Sequence, residues 1–446
     1  MNRYLKIFFL NVIIIFLFMI NPGTQAKTYS LEDCINYALK NSTDINRANN
    51  AIERKESYLK QSKSALGPSL NLRINQNTGS SSSHIRSSGK GEWTSNFNTS
   101  LSASLSSSIT LYNGGKLKNT ILKNESNLEA ANADIQTKKD NLSMKVLTAY
   151  INVLLTKEQI KNSDLQLKST KKQLEYAEVR KSAGIISNVD YLNIKSQYAS
   201  EKADSVKMQN KLRLNLVSLM QTINMPVDDS FDVKVPDIQA LLDIPAETDV
   251  NKIYNTAIGK NSEIKAAEFD LNSAKIETKI AKAGRLPTVS LNGSVDISSR
   301  YNKSIENTKE QVTSQIAPGV GVSLSLPILQ RGQAKNQITQ ADIQVKNTEL
   351  NLMDIKNDLR KVIEQASIDA IAAGIEYEAL KEQYQAEQES YNLTEEMFTQ
   401  GLTNSVDYLT SKNNLVKAEN NITQAKYTII LRNKIIEYYL GQPITL

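Results

Sequence analysis

Few residues in this chain could do chemistry. His84 is the only histidine, and it lies in Ser80-Ser-Ser-Ser-His-Ile-Arg-Ser-Ser88. A serine–histidine pair supports nucleophilic attack only when a third group and a rigid backbone fix the imidazole, and a serine-rich loop supplies neither. With one cysteine, Cys34, the chain forms no intrachain disulfide. No Cys/His spacing suits a metal and no glycine loop suits a phosphate, so neither catalysis nor a cofactor is expected. Two carboxylates in matching settings remain. Asp190 and Asp407 each stand second in Val-Asp-Tyr-Leu (189–192 and 406–409), shortly after Gly184 and Gly401. Ser187 and Asn404 precede them by three residues, the spacing of a helix N-cap and an acidic residue in the first turn.

Long helices must position these carboxylates. From Asn113, after the pair Gly114-Gly115, about seventy residues run without proline to the turn at Ser182–Leu192. Ile121, Leu128, Ile135, Leu142 and Ala149 recur every seven positions, and Val146, Val153, Ile160, Leu167 and Leu174 form a second row. Sevenfold spacing implies left-handed supercoiling, with a four-residue stutter between the rows. Roughly 68 helical residues at about 1.5 Å each span about 100 Å. A helix is expected over 31–66, capped by Ser30 with Asp33, and another over 188–224. The row Tyr377, Tyr384, Tyr391 and Phe398 reads as packing between helices.

Between the helices lie alternating segments, expected as strands at about 68–78 and 94–112, with a Ser/Gly loop between. Leu101, Ala103 and Leu105 share one face there, and Ser100, Ser102 and Ser104 the other. The pattern returns after a proline-punctuated linker (227–249): a helix, strands at about 287–298 and 316–328 around a polar loop, then the row Ile338, Val345, Leu352, Leu359, Ala366 and Ala373. An offset of 217 carries Gly115 to Gly332, Gly184 to Gly401 and Pro226 to Pro443, so residues 27–226 and 250–446 are two copies of one unit. Four such strands cannot close a barrel; three copies of the chain would supply twelve, apolar outside and polar within.

Residues 1–26 read as a secretory signal peptide: Arg3 and Lys6, an apolar run from Ile7 to Ile20, then Thr24-Gln-Ala26. Without them 51 basic residues face 47 acidic ones, alternating in sign along the helices; that is a solvated helical surface and excludes nucleic acid as a partner. A periplasmic coiled-coil protein of structural or adaptor type would explain the heptads but not the four strands.

Tyr29–Leu39, Ala65–Leu70, Leu-Tyr-Asn-Gly-Gly (111–115), Ala-Gly-Ile (183–185) and Gln-Gly-Leu (400–402), in this order and duplicated, resemble the TolC-like outer-membrane efflux protein family. The resemblance implies an α+β fold, an outer-membrane β-barrel of four strands per protomer and twelve in a homotrimer, continued into a long periplasmic α-helical coiled-coil barrel. It implies contact with outer-membrane lipid, a periplasmic adaptor (membrane fusion) protein and an inner-membrane pump of RND or ABC type, in efflux or type I secretion. The turns at Gly184 and Gly401, with Asp190 and Asp407, fall where the family has its periplasmic gate and adaptor contacts. Phe398, Thr403 and Thr410 stand where well-studied members carry a tyrosine, an arginine and a further aspartate. An arginine-centred lock should therefore be absent or rebuilt. Lys195 and Lys412, five residues beyond the aspartates, are left as intrahelical partners or as charges that set the local potential.

Overall fold

The computed structural model describes residues 28–87, 90–242, 247, 249–304 and 310–446; the expected signal segment lies outside them. In chain order the elements are β1 (Thr28–Tyr29), α1 (Leu31–Asn41), α2 (Thr43–Ser64), β2 (Ser69–Ser87), β3 (Lys90–Tyr112), α3 (Lys116–Ser182) and α4 (Asn188–Thr222). Then come β4 (Asp232–Val233), α5 (Ile238–Leu242), α6 (Val250–Lys260), α7 (Ser262–Ala283), β5 (Thr288–Ser304), β6 (Glu310–Ser325), α8 (Gln333–Gln400) and α9 (Ser405–Tyr439). No described helix is long and apolar enough to cross a membrane.

The chain forms two compact units, and each draws on both copies of the repeat. Of the described residues, one comprises those within 28–48, 135–262 and 356–446; the other comprises those within 49–134 and 263–355.

In the first unit α1 starts as its sequence requires. Ser30 accepts from the Asp33 amide (3.2 Å), and Asp33 accepts from the Ser30 amide (3.0 Å), a capping box. The single helix expected over 31–66 is in fact two. At Ser42 the backbone turns extended (ψ 126°), while the Ser42 hydroxyl takes up the Ile45 amide. Asn261 breaks the second copy the same way (ψ 120°) between α6 and α7. Ser and Asn offer the backbone an alternative partner, which ends one helix and starts the next without a proline. The core forms where Val146, Leu147, Tyr150, Val153 and Leu154 of α3 meet Cys34, Ile223 and Phe231. Burial pushes the Cys34 thiol up to about 12, so it behaves as a small apolar side chain. β1 and β4 pair in parallel and are held by Tyr150, whose hydroxyl donates to the Lys234 carbonyl (2.6 Å), and by Lys157, which donates to the Val233 carbonyl (3.0 Å).

The second unit carries one antiparallel sheet in the order β2-β3-β5-β6. The strands run further than the apolar alternation suggested. Residues 79–87 and 90–93 continue the β2–β3 ladder, and 299–304 and 310–315 continue β5–β6, where polar loops were expected. Serine-rich sequence lacks apolar alternation, but its backbone pairs as well as any other once a neighbouring strand is in register. Leu72, Leu105 and Val295 stand side by side across three strands, as do Ile74, Ala103, Ile297 and Ile316 across four. The opposite face carries Asn71, Ser106 and Ser294 at one level and Arg73, Ser104 and Asp296 at the next. Among the described residues nothing covers the apolar face: Leu72 is 66% exposed and Val320 85%. Among the described residues β2 and β6 each have one neighbour, so both outer edges are open.

The strand-to-helix turns need left-handed backbone. Gly114 and Gly115 have φ of 64° and 80°, and Arg331 and Gly332 repeat the conformation at 48° and 79°. Glycine is required at the first position of the first turn, because a Cβ on Gly114 would lie 2.7 Å from the Leu286 Cβ. Gly115→Ala should cost about 1 kcal/mol for the left-handed backbone alone. Gly114→Ala should cost more, since the overlap with Leu286 is added. Thermal unfolding of the two variants checks this; equal losses would contradict it.

Candidate functional site: the paired helical turns

Two turns, each closing a long helix onto the next, lie together in the first unit. Both are built alike. The Ile185 amide bonds the Arg180 carbonyl (2.8 Å) and the Gly184 amide the Lys181 carbonyl (3.0 Å), with Gly184 at φ 72°. In the second copy the Leu402 amide bonds the Met397 carbonyl (2.8 Å) and the Gly401 amide the Phe398 carbonyl (3.1 Å), with Gly401 at φ 77°. This pair of bonds satisfies the orphan carbonyls of a helix end and needs a left-handed residue at the glycine. Ser187 then caps α4 and Asn404 caps α9, as the spacing predicts.

The two aspartates, alike in sequence, make different contacts. Asp190 takes the Ser187 hydroxyl on one oxygen (2.6 Å) and reaches the other turn with the second, where it accepts the Ser405 amide (3.2 Å). These hydrogen bonds, from Ser187 first and Ser405 next, hold its carboxyl below the usual range. Asp407 stays local: its carboxylate accepts from the Thr403 hydroxyl (3.1 Å) and the Asn404 amide group (2.9 Å). Thr410 donates to the Val406 carbonyl one helical turn back (2.8 Å). Thr403 and Thr410 therefore serve their own turn and helix.

Phe398 is buried. Its ring stacks on Tyr408 at 4.8 Å, and Tyr408 lies 6.0 Å from Tyr391, with Ala177 and Ile194 closing the cluster from α3 and α4. The aromatic row is thus a packing row at this end. Tyr391 donates to Glu395 (2.9 Å), and its hydroxyl lies 3.3 Å from that of Tyr408. Burial pushes the Tyr408 hydroxyl up to about 12, so it keeps its proton.

Three groups escaped the sequence reading. Arg180 is buried under the second turn and donates to the Phe398 carbonyl (3.3 Å), a cation at a helix C-terminus. The first turn therefore supplies a guanidinium to the end of α8 and a carboxylate to the start of α9. The other two are Glu201 and Thr170, the partners of Lys412. Lys195 is exposed, 6.0 Å from the Tyr191 ring centroid. Lys412 is buried and pairs with Glu201 on α4 at 3.1 Å, so the intrahelical reading of Lys412 is corrected. In a helix polar on most faces, nothing in composition distinguishes the few charged residues that turn inward. Between the turns lies an open cleft lined by Arg180, Ile186, Ser187, Asp190, Leu402 and Asn404, among others.

The family profile described as outer membrane efflux protein matches residues 34–225 and 253–442. The outer membrane protein TolC of Salmonella enteritidis is 26% identical over 242 residues, covering 54% of this chain and 48% of that protein. The pyoverdine export outer membrane protein OpmQ of Pseudomonas putida is 24% identical over 194 residues, 43% of this chain and 40% of its own. The matched stretches thus span half or less of either relative. The crystal structure of the outer membrane protein VceC from Vibrio cholerae superposes with a TM-score of 0.74 at 17% identity, covering 93% of this chain and 96% of that one.

Asp190→Ala removes a bridge between turns, whereas Asp407→Ala leaves the Asn404 cap in place. The first should cost about 1–2 kcal/mol, as an N-cap loss does, and the second about 0.5 kcal/mol, a helix-dipole contribution. Amide exchange at Ser405 should accelerate in Asp190→Ala alone; equal acceleration in both would contradict the asymmetry. The folded-state pKa of Asp190 lies below its ordinary 3.8. Its contribution is therefore fully present above that value and is lost as pH falls through the depressed one. The stability gap between the wild type and Asp190→Asn should close in the same acidic range.

Proposed function

The chain belongs to the outer membrane efflux protein family, and we propose that it is the exit duct of a tripartite efflux or type I secretion system. The observation that carries this reading is the four-stranded sheet, apolar and uncovered on one face, polar on the other and open at both edges. In hydrocarbon an unpaired strand edge leaves backbone groups that nothing can satisfy, so such a sheet must close. Three copies provide twelve strands, whose apolar faces meet outer-membrane lipid and whose Ser/Asn faces line a wet lumen. The α3–α4 and α8–α9 hairpins then form the wall of a periplasmic coiled-coil tunnel.

The paired turns serve as its entrance. Ile185 and Val189 of the first turn, and Leu402 and Val406 at the matching positions of the second, are exposed apolar residues set among polar ones. Such a repeated pair suits docking of a periplasmic adaptor hairpin, with Gly184, Asp190, Phe398, Gly401, Thr403, Asp407 and Thr410 shaping the gate around it. The duct is a passive conduit, and an inner-membrane pump of RND or ABC type supplies the free energy. Relatives named for pyoverdine export and for alkaline protease secretion span both small-molecule and protein cargo.

The full-length protein should fractionate with the outer membrane and, once purified in detergent, insert into planar bilayers as discrete conducting pores. A protein recovered in the soluble periplasmic fraction, or one that makes no pores, would contradict the exit-duct reading.

A further inference from the structure

Residues 69–78, 99–112, 288–301 and 312–325 pair across all four strands of the sheet. They contain three charged side chains, Arg73, Asp296 and Arg300. All three fall on the Ser/Asn face. Arg73, Ser104, Asp296 and Ala317 share one level, and Asn77, Ser100, Arg300 and Thr313 share another. The uncovered apolar face carries none. A charge against hydrocarbon is costly and one against water is not, so this segregation fits lipid on one side and a wet lumen on the other.

The acid and the two bases are not used alike. Asp296 accepts from Ser294 (3.0 Å) and also bonds Ser104, both on its own face. Among the described residues neither Arg73 nor Arg300 makes a hydrogen bond or an ion pair. Asp296 shares a level with Arg73 but stands two strands away, roughly 10 Å at the usual strand spacing. That is too far for a salt bridge. Arg300 has no acid on its level at all. The rest of the face is short: Ser69, Asn71, Ser106, Asn292, Gly319 and Gly321 line a shallow hollow there. Both arginines are exposed, and their side chains are the longest on this face of the paired residues.

We propose that Arg73 and Arg300 set the charge preference of the strand-built part of the duct, which favours anionic solutes over cations of similar size. The inference rests on the exit-duct reading and adds to it a class of solute. Three copies would place two arginines for every aspartate around one lumen. Rings of arginine draw anions into a pore as rings of acidic side chains draw cations. Low-dielectric walls focus such a field, and the preference deepens as salt is lowered, because screening acts over about 10 Å at 0.1 M. Asp190 and Asp407 belong to the other unit and carry the opposite sign, so the test has to read the strands separately from the turns.

The test is block of single channels in planar bilayers by citrate, a small trianion, added on the outer side at low salt, with outer-membrane content measured for each variant. Citrate should block the wild type, and the double variant Arg73→Ser, Arg300→Ser should need several-fold more citrate for the same block. Serine already fills most of this face, so the strands keep their pattern. The double variant Arg73→Lys, Arg300→Lys keeps the charge and should be blocked much as the wild type is. The ratio of chloride to potassium permeability should fall in the serine variant and hold in the lysine variant. Equal block of wild type and serine variant, or a lysine variant that loses as much as the serine variant, overturns the proposal while leaving the exit duct standing. A wild-type protein that makes no pores overturns both.

Discussion

Two open strand edges beside an uncovered apolar face set the terms for the rest of this chain. Each strand in the sheet pairs well, and the ladders are long, yet β2 and β6 still present a row of unsatisfied backbone groups outward. In water such an edge invites aggregation; in lipid it is intolerable. A single chain with four strands has no way to curl onto itself, so closure by further copies is the economical solution. The internal duplication already shows the device on a smaller scale, with one hairpin copied and laid beside the first through β3 and β5.

Much of this was legible in the sequence because it follows from periodicity. The Ser30 cap, the rows through Val146–Val153 and Leu359–Ala366–Ala373, the strands with one serine face and both glycine turns appear where residue spacing puts them. The missed features are of another kind. At Ser42 a single side chain takes up the Ile45 amide, and at Asn261 the backbone turns extended in the same way, with no proline or glycine to announce either break. The extra strand length at 79–93 and 299–315 depends on a neighbour in register, which local composition cannot report.

At the paired turns the sequence marked the matching residues of the two copies but not the contacts they make. Asp190 and Asp407 sit in the same four-residue motif, yet one bridges the turns and the other secures its own cap. Arg180 and Lys412 look like surface charges on polar helices and are buried. A duplicated sequence tends to hide such differences, because the two copies pack against each other and cannot share an environment. The positions that depart from the family pattern, Phe398, Thr403 and Thr410, have settled into packing and local hydrogen bonds. The inward-facing charge lies instead at Arg180 and at the Lys412–Glu201 pair.

The claim on which the account depends is that the sheet closes only with two further copies of the chain. The mass of the intact complex, measured by native mass spectrometry after mild detergent extraction from the outer membrane, tests it directly. The account predicts a single species of three chains; a stable species of one or two chains would contradict it.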